Sequence, residues 1–405
     1  MNKKYSKLFS PIKIKNFVFD NRFVLSPITL NVSSYDGFAS KEDIDYALKR
    51  AHSAYLAISS AAYINLEGQI FEFGFSAAND EHIDSLKQVA NAMKSKGAKA
   101  ILQLAHSGRF SIISLNRLGY VVGPSKQSFM YPFPHEVQEL SIKQIKELIK
   151  DYQKATLRAI ESGFDGVEIS SAQKLLIQAF FSVISNQRND IYGNQNLENR
   201  SRLGLEILQA VRETIDKHAS ENFILGYRAT AEETRGQEIG YPIEDFLQFM
   251  DQVLINIKID YLALASWGRN IYKYKVQSQG KYFNQLVNKV VYQHINQRIP
   301  VIVSGGINSP DKCLEALEYG DMIGLSSVFV AEPDFVRKIK REHTDVVNNI
   351  QICLKIIKLD ENNFDFNMQL YVNLNTWKIL VNNNTYFSKI LIKASLISFI
   401  LFLFF

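Results

Sequence analysis

The fold this sequence predicts is a (β/α)8 barrel, the TIM barrel of the α/β class, with an N-terminal hairpin cap and a divergent C-terminal tail. Three observations predict it. Short apolar runs recur, each followed by an amphipathic stretch of helical period. Counting gives eight such pairs before residue 343. The stretch IPVIVSGGINSPDKCLEALEYGDMIGLSSVFV, residues 299–330, then sets strand, glycine turn, helix, strand and serine turn in the order of a barrel's last quarter.

Each element has its own local reason. Residues 12–23 alternate loosely and contain the turn pair Asp20-Asn21, which predicts a hairpin closing the barrel bottom. Strand 1 is expected at 23–26 and ends in Pro27, Ile28 and Thr29; a helix follows at 41–50. Strand 2 is expected at 55–59, followed by the small residues Ser60, Ala61 and Ala62. A helix at 81–96 stops at Gly97, and strand 3 at 99–104 delivers QLAHSGR. A long excursion through Pro124, Pro132 and Pro134 comes next. Ser141 is the N-cap of a long helix with Ile145, Leu148, Ile149, Tyr152 and Leu157 on its buried face. Strand 4 spans 166–169; a short helix carries Leu175, Leu176, Ile177 and Phe180, and another helix reaches Lys217. Strand 5 ends at Arg228, a helix covers 243–255, strand 6 is 261–265, and a helix covers 284–296.

In the last quarter, Val301 to Val303 reads as a buried strand, and Ser304-Gly305-Gly306 follows at once. Glycines there let backbone N–H groups approach an anion. Ser309 and Pro310 open a helix to about Tyr319, and strand 8 at 321–325 leads to Ser326-Ser327. A phosphate site and an ordinary βα turn fit this stretch equally well taken alone.

The barrel occupies residues 1–343. Residues 344–405 are rich in Asn, Ile, Lys, Phe and Leu, without Gly or Pro. That tail reads as poorly structured or translated from a shifted frame, with a tail anchor or a partner helix as the alternatives. Its final apolar run is too short to span a membrane comfortably. The net charge of +5 over 405 residues is mild, and no basic block is interleaved with aromatics, which argues against nucleic-acid binding. Two cysteines, Cys313 and Cys353, exclude a disulfide framework and a four-cysteine iron–sulfur site. With no signal peptide, they suggest a reducing cytoplasm. Homo-oligomer formation is left open.

In such a barrel the C-terminal ends of the strands face the active site. Those ends offer Ser26, Pro27, Ile28 and Thr29, then Ser60, Gln103, Ser170, Arg228, Ser266-Trp267, Ser304-Gly305-Gly306 and Ser326-Ser327. The set has one cation, one amide, several hydroxyls and two N–H-rich turns. It holds no paired carboxylates and no metal cluster, since Glu168 falls within strand 4, which argues against glycosidase and metallohydrolase chemistry. A lyase barrel would need a Schiff-base lysine at a strand end, and none stands there. The set suits a planar heterocycle carrying a phosphate. Gln103 can donate and accept along a pyrimidine edge, and Arg228 can stabilise an anionic reduced ring. His106 and Arg109 read as loop anchors and His135 as a solvated loop histidine. Trp267 and Tyr131 can stack on a ligand or simply pack.

Five stretches, LFSPIKIKNFVFDNRFVLSPIT, QLAHSGR, ESGFDGVEI, SNQRNDIYGNQNLENRSRL and VIVSGGI, resemble the Old Yellow Enzyme family of FMN-dependent NADH or NADPH oxidoreductases. The resemblance covers residues 8–341. It implies that Pro27, Ile28 and Thr29 line the flavin, with the Thr29 hydroxyl tuning its potential, and that Ser60 lies against the ring. It implies that Gln103 bonds the pyrimidine and Arg228 the N1–C2 edge. Ser304 to Gly306 and Ser326-Ser327 would take the phosphate. The implied reaction passes hydride from the nicotinamide through flavin to an electron-poor alkene, quinone or similar small-molecule oxidant. The family's usual His-His or His-Asn pair after strand 4, which holds the substrate oxygen, is Ser170 and Gln173 here. Its proton-donating Tyr is Leu175, and its phosphate-loop Arg is Ser327. A flavin-binding barrel with impaired ene reduction, serving as a sensor or interaction protein, is the alternative.

Overall fold

The computed structural model describes residues 3–341 apart from 131–133, 267 and 269. The tail expectation for 344–405, Cys353, Trp267 and Tyr131 lie outside the described residues. Eight parallel strands close into a barrel: β1 (Phe23–Leu25), β2 (Leu56–Tyr63), β3 (Lys99–Ala105), β4 (Gly166–Ser171), β5 (Ile224–Ala229), β6 (Tyr261–Leu264), β7 (Val301–Ser304) and β8 (Met322–Leu325). Each strand bonds to its sequence neighbours, and β8 pairs with β1 to close the ring. Helices between the strands cover the outside, because a parallel sheet must bury both faces.

The sheet separates two cores. Outside lies the large one between strands and helices, to which Ile145, Leu148, Ile149 and Tyr152 of helix Ile142–Glu161 contribute. That helix starts where the sequence places it, with Ser141 and Gln144 forming a reciprocal capping box. Inside lies a small core of Val24, Leu56, Ile58, Ile101, Ile224, Tyr261, Ala263, Ile302 and Met322. Ile14 and Phe19 close it from below. They belong to the N-terminal hairpin Ile12–Ile14 and Phe17–Phe19, so the cap is where the sequence predicts it. Its turn is Lys15-Asn16, with Lys15 at φ 52°, rather than Asp20-Asn21. Asn21 instead accepts the Phe23 N–H at 2.9 Å and steers the chain into β1.

Three further differences have physical causes. β2 continues to Tyr63 past a bulge between Ile58 and Ala61, so Ser60 lies inside the strand rather than after it. The excursion after β3 holds a helix, Ile112–Leu118, and a three-stranded sheet of Val121–Gly123, Gln127–Phe129 and His135–Glu139. Two of those strands carry polar residues at most positions, which hides them from a hydrophobic-pattern reading. The helix expected at 284–296 is shorter, Val287–Ile295.

One glycine is fixed by packing rather than by a turn. A Cβ on Gly226 would lie 2.1 Å from Cζ of Tyr261, whose ring fills that side of the barrel interior. Gly226→Ala is therefore expected to destabilise the protein by about 1–3 kcal/mol through overpacking. A urea unfolding midpoint unchanged from the parent would contradict the packing role.

Candidate active site

Side chains alternate inward and outward along a strand, so the residues two further on from the inner core also face the barrel axis. Ile101 is followed by Gln103, Ile224 by Gly226 and Arg228, Ile302 by Ser304, Met322 by Gly324, and Val24 by Ser26. The same register brings Glu168 and Ser170 inward from β4, opposite Gly226 and Arg228 of β5. The lower layers are apolar and the upper ones polar.

The upper layer is built around Glu168, which is 0% exposed. Its carboxylate accepts from Gln103 Nε2 at 2.7 Å, Arg228 Nε at 2.6 Å, Arg228 Nη2 at 3.2 Å and the Tyr261 hydroxyl at 3.0 Å. Burial, and then the adjacent carboxylate, push the Tyr261 hydroxyl pKa well above its ordinary value, so it stays a donor. Glu168 is thus the functional residue that the sequence reading set aside. Its position within β4 was read correctly, but a barrel strand's interior residue one layer below the rim still reaches the site. The signal that could have found it is the spacing of two, Glu168 to Ser170, shared with Gly226 to Arg228. Gln103 and Arg228 are accordingly brought together and fixed. The Gln103 Oε1 and Arg228 Nη1 make no hydrogen bond among the described residues.

Across the barrel, Ser26 and Ser304 converge on Gly324. A Cβ there would lie 2.3 Å from Ser26 Oγ and 2.4 Å from Ser304 Oγ. Both hydroxyls are buried without a partner. Buried polar atoms are rarely left unpaired, which makes this pair an unusual feature of the barrel wall. Gly305 and Gly306 follow at φ 96° and 84°, a left-handed pair that only glycine adopts easily. A side chain on Gly305 would also meet Ile271 at 2.7 Å. Ser326 precedes the short helix Ser327–Ala331, and Ser327 is exposed at its first turn.

The ring face is set by β1 and β2. The Ser60 hydroxyl donates to the Ile28 carbonyl at 2.7 Å and holds the Pro27, Ile28, Thr29 turn against β2. Ser59, beside it in the bulge, accepts the Gln103 N–H at 3.1 Å. On the far side, Ser170 is 3% exposed, and the Gln173 N–H donates to Thr230 Oγ1 at 3.1 Å. Gln173 and Lys174 both have positive φ, 60° and 64°. Leu175 is 7% exposed and brings no proton to the site.

The histidines are settled by their contacts. His106 is fully buried, its Nδ1 accepts the Gly108 N–H at 3.0 Å, and burial pushes its pKa down to about 3. It anchors the loop, as expected. His135 is not solvated: it is 8% exposed and stacks on Phe129 at 5.1 Å. Arg109 is 1% exposed. Among the described residues no group of histidine, cysteine and carboxylate side chains could hold a metal.

A closed eight-stranded parallel barrel with its polar groups gathered at the C-terminal mouth is an enzyme scaffold. The chain belongs to the NADH:flavin oxidoreductase / NADH oxidase family, whose profile matches residues 7–345. This is the Old Yellow Enzyme group, with FMN as cofactor and NADH or NADPH as hydride donor. An uncharacterized oxidoreductase of Streptococcus pyogenes is 52% identical over 341 residues, 84% of this chain and 86% of that one. A probable NADH-dependent flavin oxidoreductase of Bacillus subtilis is 30% identical over 343 residues, 84% of this chain and 89% of that one. The solved Old Yellow Enzyme homologue of Zymomonas mobilis superposes with a TM-score of 0.69 at 24% identity, over 83% of this chain and 92% of that one, which supports the fold. No helix among the described residues is long and apolar enough to cross a membrane.

Removing one partner of a buried ion pair leaves the other uncompensated. Arg228→Ala should cost about 3–5 kcal/mol of stability, and Glu168→Gln on top of it should recover part of that loss. A double-mutant cycle in urea measures this; additive losses would show that the pair is not coupled.

Proposed function

We propose that this protein is an FMN-dependent oxidoreductase passing hydride from NADH or NADPH to an electron-poor acceptor, an alkene, a quinone or similar. The observation that carries the reading is the half-satisfied upper layer. Glu168 holds Gln103 and Arg228, while Gln103 Oε1 and Arg228 Nη1 make no hydrogen bond among the described residues and the buried Ser26 and Ser304 hydroxyls lack a partner. In this reading Gln103 and Arg228 hold the pyrimidine edge of FMN. Ser304, Gly305, Gly306, Ser326 and Ser327 receive its phosphate, chiefly through backbone N–H groups. Ser26, Pro27, Ile28, Thr29 and Ser60 line the ring, with the Thr29 hydroxyl at its carbonyl edge. When bound, FMN supplies the relay of hydride between nicotinamide and acceptor.

The other residues then do defined work. Arg228 places positive charge where negative charge gathers in the reduced cofactor, and Glu168 offsets part of it. Ser170 and Gln173 donate hydrogen bonds to the acceptor's oxygen. Leu175 cannot donate a proton, so the proton comes from solvent or the acceptor needs none. That same leucine favours the second reading, a flavin-binding barrel poor at ene reduction that acts as a sensor or interaction protein.

Anaerobic titration with NADH, followed by a panel of oxidants, separates the two readings. The oxidoreductase bleaches its flavin band with NADH and recovers it with an oxidant; a sensor barrel does not turn over.

Two quantitative outcomes are expected. Glu168→Gln should raise the flavin midpoint potential and Arg228→Ala lower it, with about 30 mV for each 1.4 kcal/mol of changed interaction. Spectroelectrochemistry checks both, and unchanged potentials would remove Arg228 from the flavin. Simple cyclic enones should be reduced slowly. A missing oxyanion donor costs about 10²–10³ in rate and a missing general acid about 10²–10⁴. Quinones should be reduced faster, and Ser170→His, Gln173→His, Leu175→Tyr together should recover enone turnover. Fast cyclohexenone reduction by the parent protein would contradict the assignment.

A further inference from the structure

Three cations gather over one sector of the barrel mouth, and the chemistry above uses none of them. Arg109 follows β3, Lys174 follows β4, and Arg235 follows β5 in a hairpin of Glu233–Arg235 with Glu238–Tyr241. Those are the strands that carry Gln103, Ser170 and Arg228. One carboxylate stands among the cations. Glu233, 3% exposed, accepts from Arg235 Nη2 at 3.1 Å and from Gln178 Nε2 at 3.2 Å. Gln178 Oε1 in turn accepts the Lys174 backbone N–H at 2.6 Å, so loop, helix and hairpin are tied together.

The donors outnumber the acceptors. Arg109 is 1% exposed; its guanidinium lies over the Phe110 ring at 5.0 Å, and among its nitrogens only Nη1 has a hydrogen-bond partner, Gln127 Oε1 at 3.1 Å. Its Nε and Nη2, and Arg235 Nε, are buried and unpartnered. The Lys174 ammonium has no carboxylate within ion-pair distance among the described residues. Burial, and then Arg235 and Arg109, push it down to about 8 against the pull of Glu233. The backbone carrying it is left-handed at two successive non-glycine residues, a conformation kept only where the surroundings impose it. Buried positive charge with unused N–H groups is stabilised by an anion.

We propose that this site takes acceptors bearing a carboxylate, held by Lys174 and Arg235 with Arg109 behind them, while the electron-poor double bond lies toward Ser170. The inference rests on the oxidoreductase reading. In the net reaction NADH and one proton become NAD+ as the double bond becomes single. One alkene carbon gains the hydride and the other a proton from water. The carboxylate is unchanged.

The test uses the full FMN-loaded protein and a matched pair of probes, 3-maleimidopropionate and its methyl ester. They share one ring and one double bond and differ in a remote charge. The acid should show a KM at least tenfold below that of the ester with similar kcat. In calorimetry, the saturated analogue 3-succinimidopropionate should bind at least tenfold tighter than its ester. Lys174→Gln and Arg235→Gln should each reduce both preferences, and Lys174→Arg should keep them. Equal binding of acid and ester overturns the proposal, as does a preference that survives Lys174→Gln. If Lys174→Gln instead raises the KM for NADH and leaves the acid–ester ratio alone, the cluster holds the nicotinamide's phosphates and the proposal falls. Bleaching of the flavin band by NADH alone reports on the oxidoreductase reading separately, and calorimetry decides the carboxylate question even in a protein that does not turn over.

Discussion

A single carboxylate, with no exposure to solvent, sets the upper half of this barrel. Glu168 receives four hydrogen bonds from three other strands, and each of them removes a degree of freedom from a side chain at the mouth. Desolvating a lone carboxylate would cost several kcal/mol, so its presence requires the partners, and theirs requires it. Gly226 belongs to the same arrangement, since its missing side chain is the space the Tyr261 ring occupies beside Glu168. Rigidity of Gln103 and Arg228 therefore comes from inside the barrel, while the stretch after β7 is shaped by the Gly305-Gly306 backbone turn. The two halves of the site are held by different physics.

The site beyond β4 is held in a third way. Gln173 and Lys174 leave the strand in a left-handed conformation, pinned by Thr230 and Gln178. Such backbone costs about 1–3 kcal/mol per residue unless its environment enforces it. Where rigid donors would polarise a carbonyl, this chain has shorter or more flexible neutral ones and a cation alongside.

Much of the fold was legible because parallel strands are written in runs such as Val301 to Val303 and stopped by glycine turns. The Ser141 cap and the Ser304-Gly305-Gly306 turn were legible for equally local reasons. What escaped depends on contacts distant in sequence. Glu168 looks like an ordinary strand residue until pairing of β4 with β5 brings it within hydrogen-bond reach of Arg228, 60 residues away. The strand Gln127–Phe129 forms because His135–Glu139 pairs with it, not because its residues favour one. No sequence rule assigns positive φ to Gln173 or Lys174, since neither is glycine, and with them the cluster around Glu233 stayed hidden.

The hairpin below the barrel depends on the closure of the ring. Ile14 and Phe19 share one buried cluster with Ile224, Ile302 and Met322, which lie far along the chain. Lys15 reaches the Glu221 carbonyl at 2.8 Å, and Arg22 the Asp321 carbonyl at 3.2 Å. β1 itself waits for β8. The hairpin therefore has no finished surface to pack on until the ring is closed. Its stabilising contacts are long-range ones, which cost the most loop-closure entropy to form.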